Sequence, residues 1–248
     1  MTDPTAMTDA ARTRPGLSVD VSLSYGPTRI SAAFDVRPGH PLAIIGPNGA
    51  GKSSLLAAVA GLVPLDAGRI AIGPRRVDAL SSERRRVGMV FQDYVLFPHL
   101  SVRDNVAFAA RMRGSRSAAR AAAEPWLERY DLLGLADRLP SELSGGQRQR
   151  AALARALAAE PDVLLLDEPM SALDVEIRDE MRAELATHVR EFGGATVLVT
   201  HSPADAAMLA DSVLVLERGV VTQRGTLDEL RAAPATPYVR RMLAASEA

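Results

Sequence analysis

The chain has 248 residues, 47% of them hydrophobic but only 4% aromatic, with a formal net charge of −1. That length suits one large α/β domain, alone or with an inserted subdomain, around a core of Ala, Val, Leu and Ile. The near-neutral balance argues against nucleic acid held by bulk charge, and the absence of cysteine excludes disulfides, zinc–thiolate sites and iron–sulfur clusters.

No apolar run reaches the ~18–20 residues that span a bilayer. Residues 1–16, "MTDPTAMTDAARTRPG", lack the charged start and apolar stretch of a secretory signal and read as a disordered leader. From 17 to 37, and again in "GRIAIG" (68–73), polar and apolar residues alternate, which predicts an antiparallel β subdomain. "PLAIIG" (41–46), "VGMVF" (87–91), "DVLLLDE" (162–168) and "ATVLVTH" (195–201) suit strands buried on both faces of a parallel sheet. Between them, "KSSLLAAVAGLV", "GQRQRAALARALAAE" and "VEIRDEMRAELATHVREFG" read as amphipathic helices. The alternation predicts a three-layer α/β core. Residues 93–143 read as a helical subdomain inserted between two core strands. "ERGVVTQRG" reads as a hairpin, and 231–248 as a short amphipathic helix that packs on the core.

Gly46 to Ser53, "GPNGAGKS", fits G-x-x-x-x-G-K-[ST] without a mismatch, directly after a predicted strand and opening a predicted helix. Small residues at Gly49, Ala50 and Gly51 let backbone N–H groups converge on a phosphate, where the helix N-terminus adds partial positive charge. Gly46, Pro47, Asn48, Gly49, Ala50, Gly51, Lys52, Ser53 and Ser54 are therefore the expected triphosphate cradle, with Ser53 on Mg²⁺. Lys52 is the single lysine among 29 basic residues. A compact ammonium on a flexible stem can bend back over such a loop, whereas arginine's planar fork is larger and built for bidentate pairing.

"DVLLLDEP" puts Asp167 and Glu168 at the end of a buried strand, facing the crevice where α/β proteins bind ligands. Asp167 is the expected Mg²⁺ carboxylate. Glu168 is the expected base toward an attacking water. His201 ends the next strand and points into the same crevice.

"LSGGQRQRAALARAL" (143–157), with the phosphate loop and "LLLDEPMSALD", resembles the nucleotide-binding subunit of ATP-binding-cassette transporters over nearly everything from 17 to about 230. The resemblance implies a P-loop NTPase core, mostly parallel sheet flanked by helices, with an N-terminal antiparallel β subdomain and an inserted α-helical one. It implies that Ser144, Gly145, Gly146 and Gln147 contact ATP across a dimer, that Gln92 senses magnesium and that His201 is the switch histidine. Ser171 and Asp174 match the loop that crosses the dimer interface, and Tyr25 matches the aromatic that stacks on adenine. The implied cofactors are ATP and Mg²⁺. The implied partners are a second copy of the chain, head to tail, two membrane permease subunits and, indirectly, a periplasmic or lipoprotein substrate-binding protein, with no nucleic acid. The implied place is the cytoplasmic face of the bacterial membrane.

Within the family the wording is most similar to molybdate importer ATPases, and importers of sulfate, iron(III) and polyamines share much of it. A soluble cassette acting on DNA or ribosomes is the alternative, but no basic arm or long coiled-coil insertion speaks for it. Many such importers continue into a β-barrel regulatory domain; none is expected within residues 1–248. Tyr94, Val95, Leu96 and Phe97 form an apolar cluster with two open readings, a groove for a membrane subunit's helix or plain subdomain core.

Overall fold

The computed structural model describes residues 16–26, 28–112 and 114–244; the leader assigned to 1–16 lies outside them except for Gly16, and so does the end of the C-terminal segment. Strands β1 (Leu17–Tyr25) and β2 (Thr28–Val36) form an antiparallel hairpin whose alternate residues are buried, as their patterning predicts. Then come β3 (Leu42–Ile45), α1 (Lys52–Ala60), β4 (Ala67–Ile72), the two-residue β5 (Arg75–Arg76) and β6 (Val87–Val90). Helices α2 (Val102–Val106), α3 (Phe108–Arg111), α4 (Arg116–Arg129) and α5 (Gly145–Ala158) follow before the chain returns to the sheet as β7 (Val163–Asp167). The last third contains α6 (Val175–Phe192), β8 (Ala195–Val199), α7 (Pro203–Leu209), β9 (Ser212–Glu217), β10 (Val220–Gly225), α8 (Leu227–Ala232) and α9 (Pro237–Ala244).

The strands make one sheet in the order β5-β4-β1-β2-β10-β9-β3-β8-β7-β6. β9, β3, β8, β7 and β6 are mutually parallel, and β3, β7 and β8 are buried at every residue, the condition that lets uninterrupted apolar runs form strands. The expected antiparallel β subdomain is continuous with this core. β10 pairs antiparallel with β9 and touches β2 at Val220↔Ser31, so one sheet runs through both parts.

One helix expectation is corrected. α1 is not amphipathic: Leu55, Leu56, Ala58, Val59 and Ala60 are buried along with Lys52, because the helix packs between the β subdomain and the parallel core. Only its first turn meets the cleft, at the exposed Ser53 and half-buried Ser54, so no polar stripe runs the length of the helix. α9, by contrast, buries Val239, Met242 and Leu243 against the core and leaves Arg240 and Arg241 outside.

Candidate functional site: a phosphate-loop cleft

β3 leads straight into the turn at 46–51, and α1 opens at Lys52. Gly46 has no room for a side chain, since a Cβ there would lie 1.9 Å from the Leu216 carbonyl oxygen. Gly49 and Gly51 take φ values of 76° and 99°, so the loop folds back on itself at both positions. Lys52 is 6% exposed, and its Nζ donates to the carbonyls of Gly46 (2.8 Å) and Pro47 (3.1 Å). The ammonium thus lies folded over the loop, the posture that its flexible stem allows. Burial pushes the Lys52 pKa down, against the opposing pull of Glu168 and Asp167.

An open cleft of about 570 Å³ lies in front of this loop. Asn48, Gly49, Gly51, Lys52, Ser53 and Ser54 line its floor, and Gln92 and Glu168 stand on its wall. Tyr25, 58% exposed at the tip of the β1–β2 hairpin, forms part of the rim together with Gly26 and Thr28. Gly46, Pro47 and Ala50 shape the loop without lining the cleft, and Ala50 is buried.

Ser53 Oγ donates to Asp167 Oδ1 at 3.0 Å, joining the first turn of α1 to the end of β7. Burial is the main cause of a raised Asp167 pKa; the Ser53 bond and Lys52 oppose it and the neighbouring Glu168 adds to it. Among the described residues no cluster of three or more His, Asp or Glu is arranged as a cage for a metal ion. Mg²⁺ does not need one, since it commonly takes one or two carboxylates and completes its shell with water and substrate phosphates. A hydroxyl and a carboxylate that already converge, with a glutamine amide on the same cleft, are hard oxygen donors of the right kind.

Glu168 follows β7 with a left-handed backbone (φ 46°), an uncommon conformation for a residue with a side chain. Its N–H is held by the Val199 carbonyl at 2.9 Å, and its own carbonyl accepts from Ser171 N–H (3.0 Å) and Ser171 Oγ (2.8 Å). Its Oε2 lies 3.3 Å from His201 Nδ1, so the histidine reaches the cleft through Glu168.

The remaining expected residues stand apart. Ser144 caps α5 in a reciprocal capping box: its Oγ accepts from Gln147 N–H (3.3 Å), and Gln147 Oε1 accepts from Ser144 N–H (2.9 Å). Gly145 and Gly146 pack against Leu173 and Met181, where a Cβ would lie 3.2 Å from each neighbour. Asp174 is exposed at the start of α6. None of these residues lines the cleft of its own chain. Sequence reasoning missed Gly26 and Thr28 on the rim, for which the sequence carries no signal, and the network behind His201 described below.

A family model described as "ABC transporter" matches residues 31–171. The chain belongs to that family as an ABC transporter ATPase domain. The ABC domain is 44% identical over 228 residues to a "Sulfate/thiosulfate import ATP-binding protein CysA" of Thermosynechococcus vestitus, covering 90% of this chain and 68% of that protein. It is 45% identical over 225 residues to a "Molybdenum import ATP-binding protein ModC" of Mycobacterium tuberculosis, covering 86% and 61%. A CysA protein of Synechococcus elongatus is 47% identical over 205 residues, with 60% of it covered, so the chain spans between 60% and 68% of these relatives' lengths. The dimeric structure of MJ0796, a bacterial ABC transporter cassette, superposes with a TM-score of 0.73 at 29% identity, covering 85% of this chain and 98% of that one. A post-hydrolysis state of MJ0796 bound to ADP and Pi matches equally well, with a TM-score of 0.73 at 30% identity.

Proposed function

We propose that this ABC ATPase domain hydrolyses ATP as the engine of an importer for a tetrahedral oxyanion, docked on separate membrane subunits at the cytoplasmic face. The observation that carries the reading is the convergence of Lys52, Ser53, Gln92 and Glu168 on one cleft, with Asp167 bonded to the Ser53 hydroxyl, while the capped start of α5 stands outside it. Such a site is half a site. ATP held by the phosphate loop is completed by Ser144, Gly145, Gly146 and Gln147 of a second copy, with Ser171 and Asp174 at the crossing.

In this reading Tyr25 stacks on the adenine from the rim, and loop N–H groups and the Lys52 ammonium grip the β- and γ-phosphates. Bound Mg²⁺ supplies charge neutralisation on those oxygens, and Ser53, Asp167 and Gln92 are the residues that would hold it. Water attacks the γ-phosphorus in line as the bond to the β-bridging oxygen breaks. The water's proton passes to Glu168, and ADP and phosphate leave. His201, in contact with Glu168, orients the γ-phosphate. Loss of the bridging phosphate opens the pair, and that movement is the useful output.

The relatives named for sulfate and for molybdenum support their cargoes equally, at 44% and 45% identity, so the oxyanion class is as fine as the proposal goes. The apolar cluster after Gln92 divides between its two readings. Tyr94 is core, 2% exposed, whereas Val95 is 54% exposed and available to a permease helix. Among the described residues no helix is long and apolar enough to cross a membrane.

The test is Glu168→Gln. It is expected to bind ATP with unchanged affinity while turnover falls by about two to four orders of magnitude. Turnover within a few-fold of the parent would remove Glu168 from its role.

A further inference from the structure

His201 carries one of four imidazoles in the chain, and its own side chain is 59% exposed. Exposure on that scale does not hold a ring in one place. The residues on either side of it are held firmly. Thr200 is 2% exposed; its N–H donates to Ile44 O at 3.2 Å, just ahead of the phosphate loop. Thr200 Oγ1 donates to Asp205 Oδ2 at 2.9 Å and accepts from Ser202 N–H at 3.0 Å. Ser202 Oγ in turn accepts from Asp205 N–H at 3.3 Å. The two peptide units that flank His201 are therefore closed into one ring of hydrogen bonds around Asp205.

Asp205 is buried at 5% exposure on the first turn of α7, and a carboxylate so placed needs a cation. Arg182 supplies it, with Nε 2.8 Å from Asp205 Oδ1, from a position on α6 that is itself 9% exposed. A second arm of the same guanidinium reaches Asp179. α6 begins directly after Asp174, so the ring behind the histidine is anchored to the helix that starts at the proposed dimer crossing.

We propose that Asp205, acting through the Thr200 hydroxyl and braced by Arg182, is the positioning residue of His201, fixing its backbone so that the imidazole meets Glu168. This rests on the reading of His201 given above. Asp205 lines no part of the cleft. It sets where the ring stands, and misplacement of a reacting group by an ångström is enough to cost about a hundredfold in rate.

The experiment uses the full chain and the substitution Thr200→Val, which keeps the shape and removes the hydroxyl. The expected result is a kcat reduced about ten- to a hundredfold with KM for ATP within twofold of the parent, and recovery in Thr200→Ser, whose hydroxyl remains. The second readout is the His201 Cε1–H resonance, assigned as the one of four histidine signals missing from His201→Ala. It is expected to shift or broaden in Thr200→Val and in Asp205→Asn, while those of His40, His99 and His188 stay in place. An unmoved His201 signal in a folded Thr200→Val protein, or a parental kcat in that variant, overturns the proposal. So does an equal loss of kcat from Thr200→Val in the presence and absence of His201, because the ring would then act elsewhere. A parental kcat in His201→Ala refutes the role of the histidine itself, and the resonance still decides the positioning.

Discussion

Lys52 explains its own rarity in an arginine-rich chain through the two carbonyls it caps. Its Nζ approaches Gly46 O at 2.8 Å and Pro47 O at 3.1 Å inside a loop that leaves the residue 6% exposed. A guanidinium carries its donors in a rigid plane and is too broad for that enclosure. Lys52→Arg is therefore expected to fold but to lose one charge-assisted contact to phosphate, about 1.5–3 kcal/mol, or roughly ten- to a hundredfold in ATP affinity. Titration with a fluorescent nucleotide measures it, and parental affinity would show that the ammonium is not the group that grips. Asp104 supplies a residue-scale prediction of pH dependence. The Arg120 guanidinium, 2.7 Å from each carboxylate oxygen, and then Arg116 at 3.0 Å hold its pKa down at about 2. Its unfolded value lies near 3.9, so the pair's contribution is whole above about pH 4 and is lost as pH falls through about 2. Asp104→Asn should lower the urea midpoint at pH 6, and the gap between variant and parent should narrow toward pH 2. A gap that stays constant between pH 6 and pH 2 would contradict the pairing.

At the scale of elements, α1 ends at a device that its own sequence does not display. Arg85, 4% exposed, donates to Ala58 O (2.8 Å) and Val59 O (3.0 Å) at the helix C-terminus, and to Leu80 O and Asp78 O (both 3.0 Å) beyond it. A cation among the last carbonyls of a helix offsets its dipole and satisfies acceptors that have no partner within the helix. Arg85→Met is expected to cost roughly 3 kcal/mol, read as a lower urea midpoint at unchanged m, because it takes a donor from the buried Val59 carbonyl and from the part-buried Leu80 and Asp78 carbonyls, and leaves Ala58 O with the Gly61 N–H at 3.1 Å. A change below about 1 kcal/mol would mean that water reaches those carbonyls. The same element shows what is legible in a sequence and what is not. The runs at β3, β7 and β8 are unmistakable because burial on both faces forbids charge along their length. The polar hydroxyls and carboxylates of the cleft were equally plain, since a phosphate loop and a strand-end acid pair are local spacings. Long-range partners were not legible: Arg85 meets Ala58 across 27 residues, and Arg182 meets Asp205 across 23. One arginine among many carries no mark of the acceptor it will find. The single Val220↔Ser31 pairing that joins the two parts of the sheet is of this kind too.

Considered as a whole molecule, the domain keeps its two glycine-rich helix starts, at α1 and α5, apart. α1 opens into the cleft, while α5 begins at a capped Ser144 that lines no part of it, packed by Gly145 and Gly146 against Leu173 and Met181. In the head-to-tail pair proposed above, each cleft would meet the other chain's α5, and ATP would be the bridge between two incompletely neutralised surfaces. The pair should then form only with nucleotide, and hydrolysis should dissolve it. Glu168→Gln, which keeps the shape of the site and withdraws the base, is expected to sediment as a dimer with ATP and as a monomer with ADP. Ser144→Arg places bulk and charge on the helix tip without touching the cleft of its own chain. Combined with Glu168→Gln, it should abolish the dimer while the monomer binds nucleotide nearly as the parent does. If the double variant still dimerises with ATP, the bridge does not pass through α5; if it loses nucleotide binding in the monomer, the two helix starts are not separate sites.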